Sequence, residues 1–339
     1  MPGVADRRWR GAEFPGSTDE LLAEIARLAA ANRDAPDPAT ASDVLWLRHL
    51  AGVRLVEELG RAPEPASLPL AAHVPTGSSG LPEVAAPDVT PELIRAAIQR
   101  EGCLIVRGLV DPGTAVRFAG LIDRAYAARE CLVDGGTPEP GFYEEFVPHQ
   151  QFRAPHRKWK KAGGGLAASD SPVLSFERME LFEAMGIRDL VSGYFGGPAV
   201  LTTQKSTFRR VEPSIEGAWH QDGAFIGVVG SLDLWISLTH CGEQAPGLDI
   251  VSRRLDSLVA TGTDGAFLPT QVSATMAHAA AGDRPIVRPI FEPGDAVLFD
   301  ELCLHQTASD PSMTKPRHAI ESWFFSASSM PEGYAPIAL

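Results

Sequence analysis

From about residue 199 to residue 325, the sequence alternates between short β-prone runs and turn residues. The separating segments are rich in glycine, proline and acidic residues, as at Glu212-Pro213 and Pro293-Gly294-Asp295. Short strands bounded by such turns favour a β-sandwich or a jelly-roll barrel. The runs that we expect to form strands are 200–211, 225–229, 232–239, 248–251, 286–291, 296–299 and 318–325.

Helix signals dominate the part of the chain before residue 130. Four segments have apolar residues at helical spacing, and each is bounded by a capping or terminating residue. The second of these helices is expected over about 42–59, and a short apolar strand, 103–106, lies between the third and the fourth. The boundary residues are Ser17 with Glu20 as a capping box, Gly60, Thr90 with Gly102, and Asp111 with Pro112.

These patterns divide the chain into three parts. Residues 1–60 form an N-terminal helical extension, residues 61–89 form a Pro/Ala-rich linker or arm, and residues 90–339 form the main domain. Within the main domain, residues 129–175 are irregular and contain many aromatic and basic side chains. Long loops in compact domains are usually functional or disordered, so this segment is either a substrate lid or a mobile surface loop.

The composition narrows the partners that the chain can have. A formal net charge of −13 over 339 residues argues against nonspecific binding to nucleic acid or to anionic membranes. The four cysteines form no CxxC pair, which favours reduced thiols. The N-terminus lacks the apolar run of a signal peptide, and no stretch approaches the ~20 apolar residues of a membrane span. We therefore expect a cytoplasmic protein.

Three side chains have the pattern of a metal site. His220 and Asp222 are two residues apart, so on a strand they would point to the same face. His305 follows the turn 293–295 and the apolar strand 296–299, which would place it opposite the first two. Two histidines and one carboxylate form a facial triad that leaves open positions on iron(II). The sequence thus predicts a non-haem iron site.

A basic and a hydroxyl side chain follow the third candidate ligand. Arg317 begins the β-prone run 318–325, and its planar guanidinium suits bidentate binding of a carboxylate. Thr307 is two residues past His305, so it could share the face of that histidine and donate a hydrogen bond to the same carboxylate. Together they suit the distal carboxylate of 2-oxoglutarate.

The order H-x-D, G-D, H-x-T and a trailing arginine resembles the phytanoyl-CoA dioxygenase family over roughly residues 90–326. The segments 101–108, 219–223 and 234–238 are similar to the family as well. The resemblance implies an α+β protein with a double-stranded β-helix (jelly-roll, cupin-like) core and flanking helices. It also implies iron(II), 2-oxoglutarate and O2 as cofactors, usually for C–H hydroxylation.

Position by position, the resemblance implies His220, Asp222 and His305 as iron ligands, and Arg317 and Thr307 as partners of 2-oxoglutarate. It places Trp235 along the co-substrate pocket. A polar residue before the triad is expected to contact 2-oxoglutarate as well; Gln204 is the candidate, and Lys205 and Thr207 are its alternatives. Related halogenases lack the carboxylate ligand, so the presence of Asp222 favours hydroxylation or desaturation.

The substrate is expected to be a small molecule. The aromatic character of 129–175 favours a mid-sized, partly apolar compound, such as a natural-product intermediate or a modified amino acid. No catalytic residue beyond the metal ligands is predicted, and the N-terminal helices are a candidate homodimer contact. The candidate substrate-binding residues are Phe152, Trp159, His149 and Arg210.

Two other functions stay open on the sequence alone. A cupin-like metalloenzyme that needs no 2-oxoglutarate would use a similar core, although such sites often contain H-x-H, which this chain lacks. A non-catalytic jelly-roll binding protein is the other alternative, although it would have no need of three ligands and an arginine. Release of succinate and the metal content of the purified protein separate these alternatives from the dioxygenase.

Overall fold

The computed structural model describes residues 9–60, 67–215, 217–266 and 268–339. Helices and strands are both abundant, and the strands fall mainly in the second half of the chain. The helices are α1 Thr18–Asp34, α2 Pro38–Leu59, α3 Pro91–Glu101, α4 Pro112–Val133, α5 Arg157–Ala162, α6 Pro172–Ala184, α7 Ile187–Phe195, α8 Gly223–Ile226 and α9 Ala274–Ala281. The strands are β1 Glu83–Ala85, β2 Cys103–Arg107, β3 Gly165–Ala167, β4 Ala199–Thr202, β5 Thr207–Val211, β6 Leu232–Ser237, β7 Gly247–Val251, β8 Ile286–Val287, β9 Ala296–Phe299, β10 His305–Ala308, β11 Arg317–Ser326 and β12 Pro336–Ala338.

Helix ends follow the capping residues that the sequence indicates. The Ser17 hydroxyl accepts a hydrogen bond from the Glu20 backbone while the Glu20 carboxylate accepts one from the Ser17 backbone, so the capping box is confirmed. Thr90 caps α3 through the Leu93 N–H, and Gly102 ends that helix with a φ of 95°. Helix α2 begins at Pro38, earlier than the expected start near residue 42, because Asp37 is its N-cap.

Most strands pair in one large, mostly antiparallel sheet, which confirms the mixed α+β class. Its order is β1-β2-β9-β6-β11-β4-β12, and β5 pairs with both β11 and β3. Among the described strands, only β1 and β2 pair in parallel. A second sheet has the order β10-β7-β8. Bridges between His220 and His305 and between Cys241 and Phe291 add to the pairing outside the named strands.

Side chains alternate across the large sheet and so separate two apolar environments. On β6, Leu234 and Ile236 pack into the cluster that contains the helices, whereas Trp235 belongs to a second cluster on the opposite face. On β11, Ile320 faces the helices and Trp323 faces the second cluster. This second face carries the candidate site.

Some local predictions need correction. The run 225–229, expected to be a strand, begins within the short helix α8, because the Ile226 and Phe225 N–H groups bond back to the Asp222 carbonyl. The run 200–211 is split into β4 and β5 by a turn in which the Ser206 N–H bonds to the Thr202 carbonyl. Of residues 286–291, only Ile286 and Val287 form a strand, β8, and Phe291 adds an isolated bridge to Cys241.

The stretch expected to be a linker or arm contains regular structure. Residues 61–66 lie outside the described residues, but β1 and a 3-10 turn, Ala86–Asp88, fall within 67–89. Strand β1 pairs with β2 because Glu83, Val84 and Ala85 run alongside residues 105–107. This part of the chain therefore extends the large sheet at its edge.

Residues 129–175 are also more ordered than their composition suggests. They include the end of α4, helix α5, strand β3 and the start of α6. Phe142, Tyr143 and Phe146 are buried in the helical cluster. Among the described helices, none combines the length and apolar character needed to cross a bilayer.

Candidate metal centre

His220 and His305 are held opposite one another by backbone hydrogen bonds. The His220 N–H donates to the His305 carbonyl at 3.0 Å, and the His305 N–H donates to the His220 carbonyl at 3.1 Å. His305 begins β10, whereas His220 lies in an extended segment before α8. A reciprocal pair of this kind brings the side chains of an antiparallel bridge close together, and the two imidazole centroids are 4.4 Å apart.

Asp222 completes the cluster from the start of α8. Its backbone is helical rather than extended, so the expectation of a strand through both His220 and Asp222 is wrong in its second half. The side chains nevertheless converge: Asp222 Oδ2 is 3.9 Å from Nε2 of His220 and 3.9 Å from Nε2 of His305. One candidate ligand atom from each residue lies within 4.8 Å of the others.

The two imidazoles are oriented through their Nδ1 atoms. Nδ1 of His220 lies 2.7 Å from the Ala218 carbonyl, and Nδ1 of His305 lies 3.1 Å from the Cys303 carbonyl. A carbonyl can only accept, so each Nδ1 carries a proton, and each Nε2 is the nitrogen available to bind a cation. Burial and the neighbouring His220 lower the pKa of His305 to about 4, which keeps it neutral at pH 7. Both rings are thus prepared to bind a cation.

Lys205 lies against the carboxylate of the cluster. Its ammonium donates a hydrogen bond to Oδ1 of Asp222, and both side chains are buried. Burial raises the pKa of Asp222, but Lys205 and the two histidines lower it more, so the carboxylate is ionised. The charge needed for a metal ligand is therefore present.

Arg317 is fully buried on the same face of the large sheet, with 1% of its surface exposed. Its Nη1 donates to the Gly247 carbonyl at 2.6 Å, and the guanidinium lies 5.4 Å from the centre of the Trp235 ring. Its Nε has no hydrogen-bond partner, and within the described residues no carboxylate forms an ion pair with it. Burial lowers the pKa of Arg317 to about 10. A buried guanidinium with spare donors suits an incoming carboxylate.

The structure places some of the other residues expected to contact 2-oxoglutarate near the metal cluster and one of them away from it. Trp235 is buried beside Arg317, and half-buried Thr307 lies on β10 two residues from His305. Gln204, however, bonds to Thr202, Thr203 and the backbone around it rather than to the cluster. Its neighbour Lys205, one of the two alternatives, instead points to the cluster and donates a hydrogen bond to Asp222.

The residues expected to bind the substrate also lie in different parts of the structure. The ring of Trp159 on α5 lies 5.2 Å from the Phe225 ring, which lies 6.1 Å from the His220 ring. Phe152 instead packs against His49 of α2, with ring centres 5.5 Å apart, and half-exposed His149 lies 3.3 Å from Glu13. Only Trp159 of these three is thus brought towards the metal cluster.

Arg210 points away from the metal cluster. Its guanidinium lies near Asp123 and Glu212, at 3.6 and 3.2 Å. Its neighbour Arg209 faces the site and pairs with Glu321. Because successive residues on a strand face opposite sides, only one arginine of this pair could reach the interior.

A group of buried charges beside the site was not predicted from the sequence. Lys160 of α5 donates to the Thr207 hydroxyl, and burial lowers the pKa of this lysine to about 7. Asp233 is 1% exposed with one oxygen unpaired, and burial together with Glu321 raises its pKa well above the usual range. The strand period could have found Asp233 and Glu321, since they share a face with Trp235 and Arg317.

A cleft of about 470 Å³ opens next to Phe225. Helix α8 forms one wall through Phe225 and Ile226, and the C-terminal segment 328–334 forms another. Arg153 lies at its rim, and Tyr334 is half-buried within it. Phe225 also neighbours His220, with ring centres 6.1 Å apart, so this cleft lies close to the histidines.

The chain was compared with known families, curated proteins and solved structures. No family model and no curated protein matches it, so the phytanoyl-CoA dioxygenase family stays a prediction. EctD from S. alaskensis, solved with 2-oxoglutarate and 5-hydroxyectoine, is 14% identical with a TM-score of 0.49, over 80% of this chain and 88% of that chain.

Two further solved structures are similar at the same level. AviO1 from Streptomyces viridochromogenes Tue57 is 19% identical with a TM-score of 0.41, over 69% of this chain and 94% of that chain. The epimerase SnoN, in complex with Fe3+, alpha ketoglutarate and nogalamycin RO, is 17% identical with a TM-score of 0.42, over 70% of this chain and 83% of that chain. At these identities and scores, activity has to be inferred from the site itself.

Proposed function

We propose that this chain is an iron(II)- and 2-oxoglutarate-dependent dioxygenase that oxidises a C–H bond of a small molecule. The observation that carries the proposal is the convergence of His220, Asp222 and His305, with their candidate ligand atoms within 4.8 Å of one another. Two imidazoles and one carboxylate form the ligand set that suits non-haem iron(II) and leaves positions open. A double-stranded β-helix core is proposed with it.

Arg317 fits the second part of the proposal. A fully buried guanidinium is costly unless a partner satisfies it, and this one has an unpaired Nε and no ionic partner among the described residues. The distal carboxylate of 2-oxoglutarate would supply that partner, while Trp235 holds the guanidinium from one side. When bound, iron, 2-oxoglutarate and O2 would supply the oxidising chemistry: one oxygen atom would end in succinate, formed with carbon dioxide from 2-oxoglutarate, and the other would oxidise the substrate.

The protein would bind and orient the substrate near the three ligands and exclude water. Phe225 and Trp159 form an aromatic contact beside His220, and the cleft next to Phe225 would admit the substrate. We propose that α5 belongs to a lid over this entrance, because its exposed Trp159 contacts Phe225, which lines the cleft. Lids of this kind sequester a reaction from solvent. Hydroxylation and desaturation are both compatible with these parts.

The proposal is tested by anaerobic titration of the metal-free protein with iron(II) and then 2-oxoglutarate. We expect wild type to develop a charge-transfer absorbance that needs both additions, and to form succinate when oxygen and a suitable substrate are present. Asp222→Ala should lose both signals, because the cluster loses its only carboxylate ligand. His240→Ala is the matched control, since His240 is an exposed histidine that contacts Glu243 and Glu292.

The outcome also separates the alternatives. A wild-type protein that binds iron but never gives the charge-transfer absorbance or succinate would be a 2-oxoglutarate-independent metalloenzyme. A wild-type protein that binds no divalent metal would be a binding protein, and the proposal would be wrong. Thermal unfolding of each variant confirms that a lost signal does not reflect a lost fold.

A further inference from the structure

Lys205 enters the site from the turn between β4 and β5. Its side chain is buried, with 9% of the residue exposed, so its ammonium has little contact with water. Burying an ammonium is strongly unfavourable unless an opposite charge compensates it. Within the described residues, Asp222 is the carboxylate that forms an ion pair with Lys205. Asp222, a residue of the metal cluster, therefore supplies the opposite charge that stabilises the buried ammonium of Lys205.

Two aromatic rings hold the Lys205 ammonium in place. Nζ lies 5.0 Å from the centre of the Phe225 ring and 5.7 Å from the centre of the Trp323 ring. Cations are attracted to the faces of aromatic rings at such distances. Lys205 is thus fixed by Phe225, Trp323 and the carboxylate of Asp222 together, and its position does not depend on a bound ligand.

The contact makes the two oxygens of Asp222 different. Oδ1 accepts from Lys205, whereas Oδ2 is the oxygen at 3.9 Å from Nε2 of both His220 and His305. A carboxylate can bind a metal through one oxygen or through both. A carboxylate bound through both oxygens would occupy a position that the co-substrate or oxygen needs.

We propose that Lys205 is a positioning residue that holds Asp222 in a one-oxygen binding mode, with Oδ2 directed at the metal. This inference rests on the proposed function, because it assumes that a divalent metal binds between the three ligands. Lys205 acts on Asp222 rather than on a substrate. The site is thereby arranged before the metal enters, and the open positions are preserved.

The direction in which metal affinity changes when Lys205 is replaced distinguishes a positioning role from a purely electrostatic one. A lysine near a divalent cation repels it, so loss of the positive charge alone would tighten metal binding. Loss of a positioning partner acts in the opposite direction, since mutation of groups that orient a metal ligand typically weakens metal affinity about 10- to 100-fold. Weaker binding after removal of Lys205, measured at a pH at which Asp222 is ionised in both proteins, therefore indicates lost orientation rather than lost charge.

The test measures cobalt(II) binding to metal-free protein by calorimetry and by the visible d–d spectrum, without any co-substrate. We expect Lys205→Met to bind cobalt(II) about 10- to 100-fold more weakly, with altered d–d bands. Lys205→Arg should keep most of the affinity, because it can still donate to Oδ1. Lys160→Met is the matched control: Lys160 is a second buried lysine on this face but bonds to Thr207 and Ser206 instead.

Several results would overturn the inference. Cobalt(II) binding to Lys205→Met that equals or exceeds wild type would leave only charge repulsion. Unchanged metal binding with a raised 2-oxoglutarate requirement would make Lys205 a co-substrate contact instead. If wild type itself binds no cobalt(II), the proposed function is wrong, and the inference about Lys205 is wrong with it. If wild type binds cobalt(II) and Lys205→Met binds it equally well, only the inference is wrong. Should Lys205→Met not fold, Lys205→Gln, a neutral donor, takes its place with an intermediate loss of affinity expected.

Discussion

Lys205 and Arg317 are two buried cations whose different partners indicate different roles. Lys205 already has a carboxylate, that of Asp222. Arg317 has only a carbonyl, an aromatic ring and an unpaired Nε among the described residues. A protein retains an incompletely paired buried charge mainly where a ligand completes it. At the scale of single residues, Lys205 is therefore part of the resting site, and Arg317 is prepared for an anion.

Arg317→Lys tests this difference at one side chain. Lysine keeps the charge but lacks the planar fork, so it loses one of the two hydrogen bonds to a carboxylate. We expect the KM for 2-oxoglutarate to rise about 30-fold, which corresponds to about 2 kcal/mol for a charged hydrogen bond, with a much smaller change in kcat. A variant with unchanged KM would assign the co-substrate carboxylate to another group. Steady-state succinate formation gives both constants.

The segment before α8 and strand β10 form the element on which the metal cluster depends. Gly217 approaches this strand so closely that a Cβ built on it would lie 1.7 Å from the Thr307 carbonyl oxygen. Three residues later, His220 and His305 exchange their backbone hydrogen bonds. Any side chain at position 217 would push the two segments apart because the obstacle is backbone.

We therefore expect Gly217→Ala to weaken metal binding at least about tenfold, the lower end of the effect of disturbed ligand support. Cobalt(II) calorimetry measures it, and the apo protein should also unfold at a lower temperature. Gly120→Ala is the matched control. A Cβ at Gly120 meets no heavy atom within 4 Å, and alanine favours the helix α4 in which it lies. Equal metal affinities in the two variants would contradict the structural role of Gly217.

At the scale of the whole molecule, the N-terminal helices are packed into the protein. Helix α2 contacts β12 and α6, and α1 packs on α2. Gly52 of α2 lies so near the backbone of β12 that a Cβ there would be 3.0 Å from the Ala338 nitrogen. The helices share one apolar cluster with the large sheet. The N-terminal helices thus pack on the face of this sheet that lies opposite the candidate site.

A chain that begins at residue 67 should lose its cooperative thermal unfolding. The helices bury large apolar side chains, among them Leu21, Val44, Leu47 and Leu50. Each buried side chain contributes about 1.5–3 kcal/mol, and net domain stability is only about 5–15 kcal/mol. Calorimetry of the shortened chain measures the loss, and addition of residues 1–60 as a separate polypeptide should restore it. A shortened chain as stable as wild type would mean that the N-terminal helices are an independent extension.

His49 connects α2 to two other parts of the molecule and makes the stability depend on pH. Its Nδ1–H donates to the Pro336 carbonyl at 2.8 Å, and its Nε2 accepts from the His149 N–H at 3.1 Å. Burial lowers the pKa of His49 to about 4. The unfolded chain therefore takes up a proton at higher pH than the native one, and stability that is present above pH 6.5 is lost as the pH falls towards 4.

We expect this loss to be about 3 kcal/mol for His49, from 1.36 kcal/mol per pKa unit. In the metal-free protein, buried His305 with a pKa of about 4 acts in the same direction. His49→Gln should flatten the dependence by about half, because glutamine stays neutral. Urea unfolding between pH 6.5 and pH 4 measures the slopes; parallel slopes for the two proteins would refute the role of His49.

Much of the fold and of the site could be predicted from the sequence because the signals are local. Capping residues such as Ser17 and Thr90 act within one helical turn, and they set the helix starts. The period of two along β11 predicts that His318 faces away from Arg317, and His318 indeed contacts Asp123 at 2.9 Å. The types of metal ligand and their order along the chain could also be predicted, since H-x-D and a later histidine are visible in the sequence.

Only the tertiary structure decided which side chain leaves an irregular turn towards the site, and which charges meet there. The turn between β4 and β5 has no fixed period, so the choice of Lys205 over Gln204 depends on the packing around it. Arg209 and Glu321 are distant in sequence and meet only because β5 pairs with β11. Local chemistry determines the elements and the candidate ligands, whereas long-range strand pairing determines the environment that lets those ligands act together.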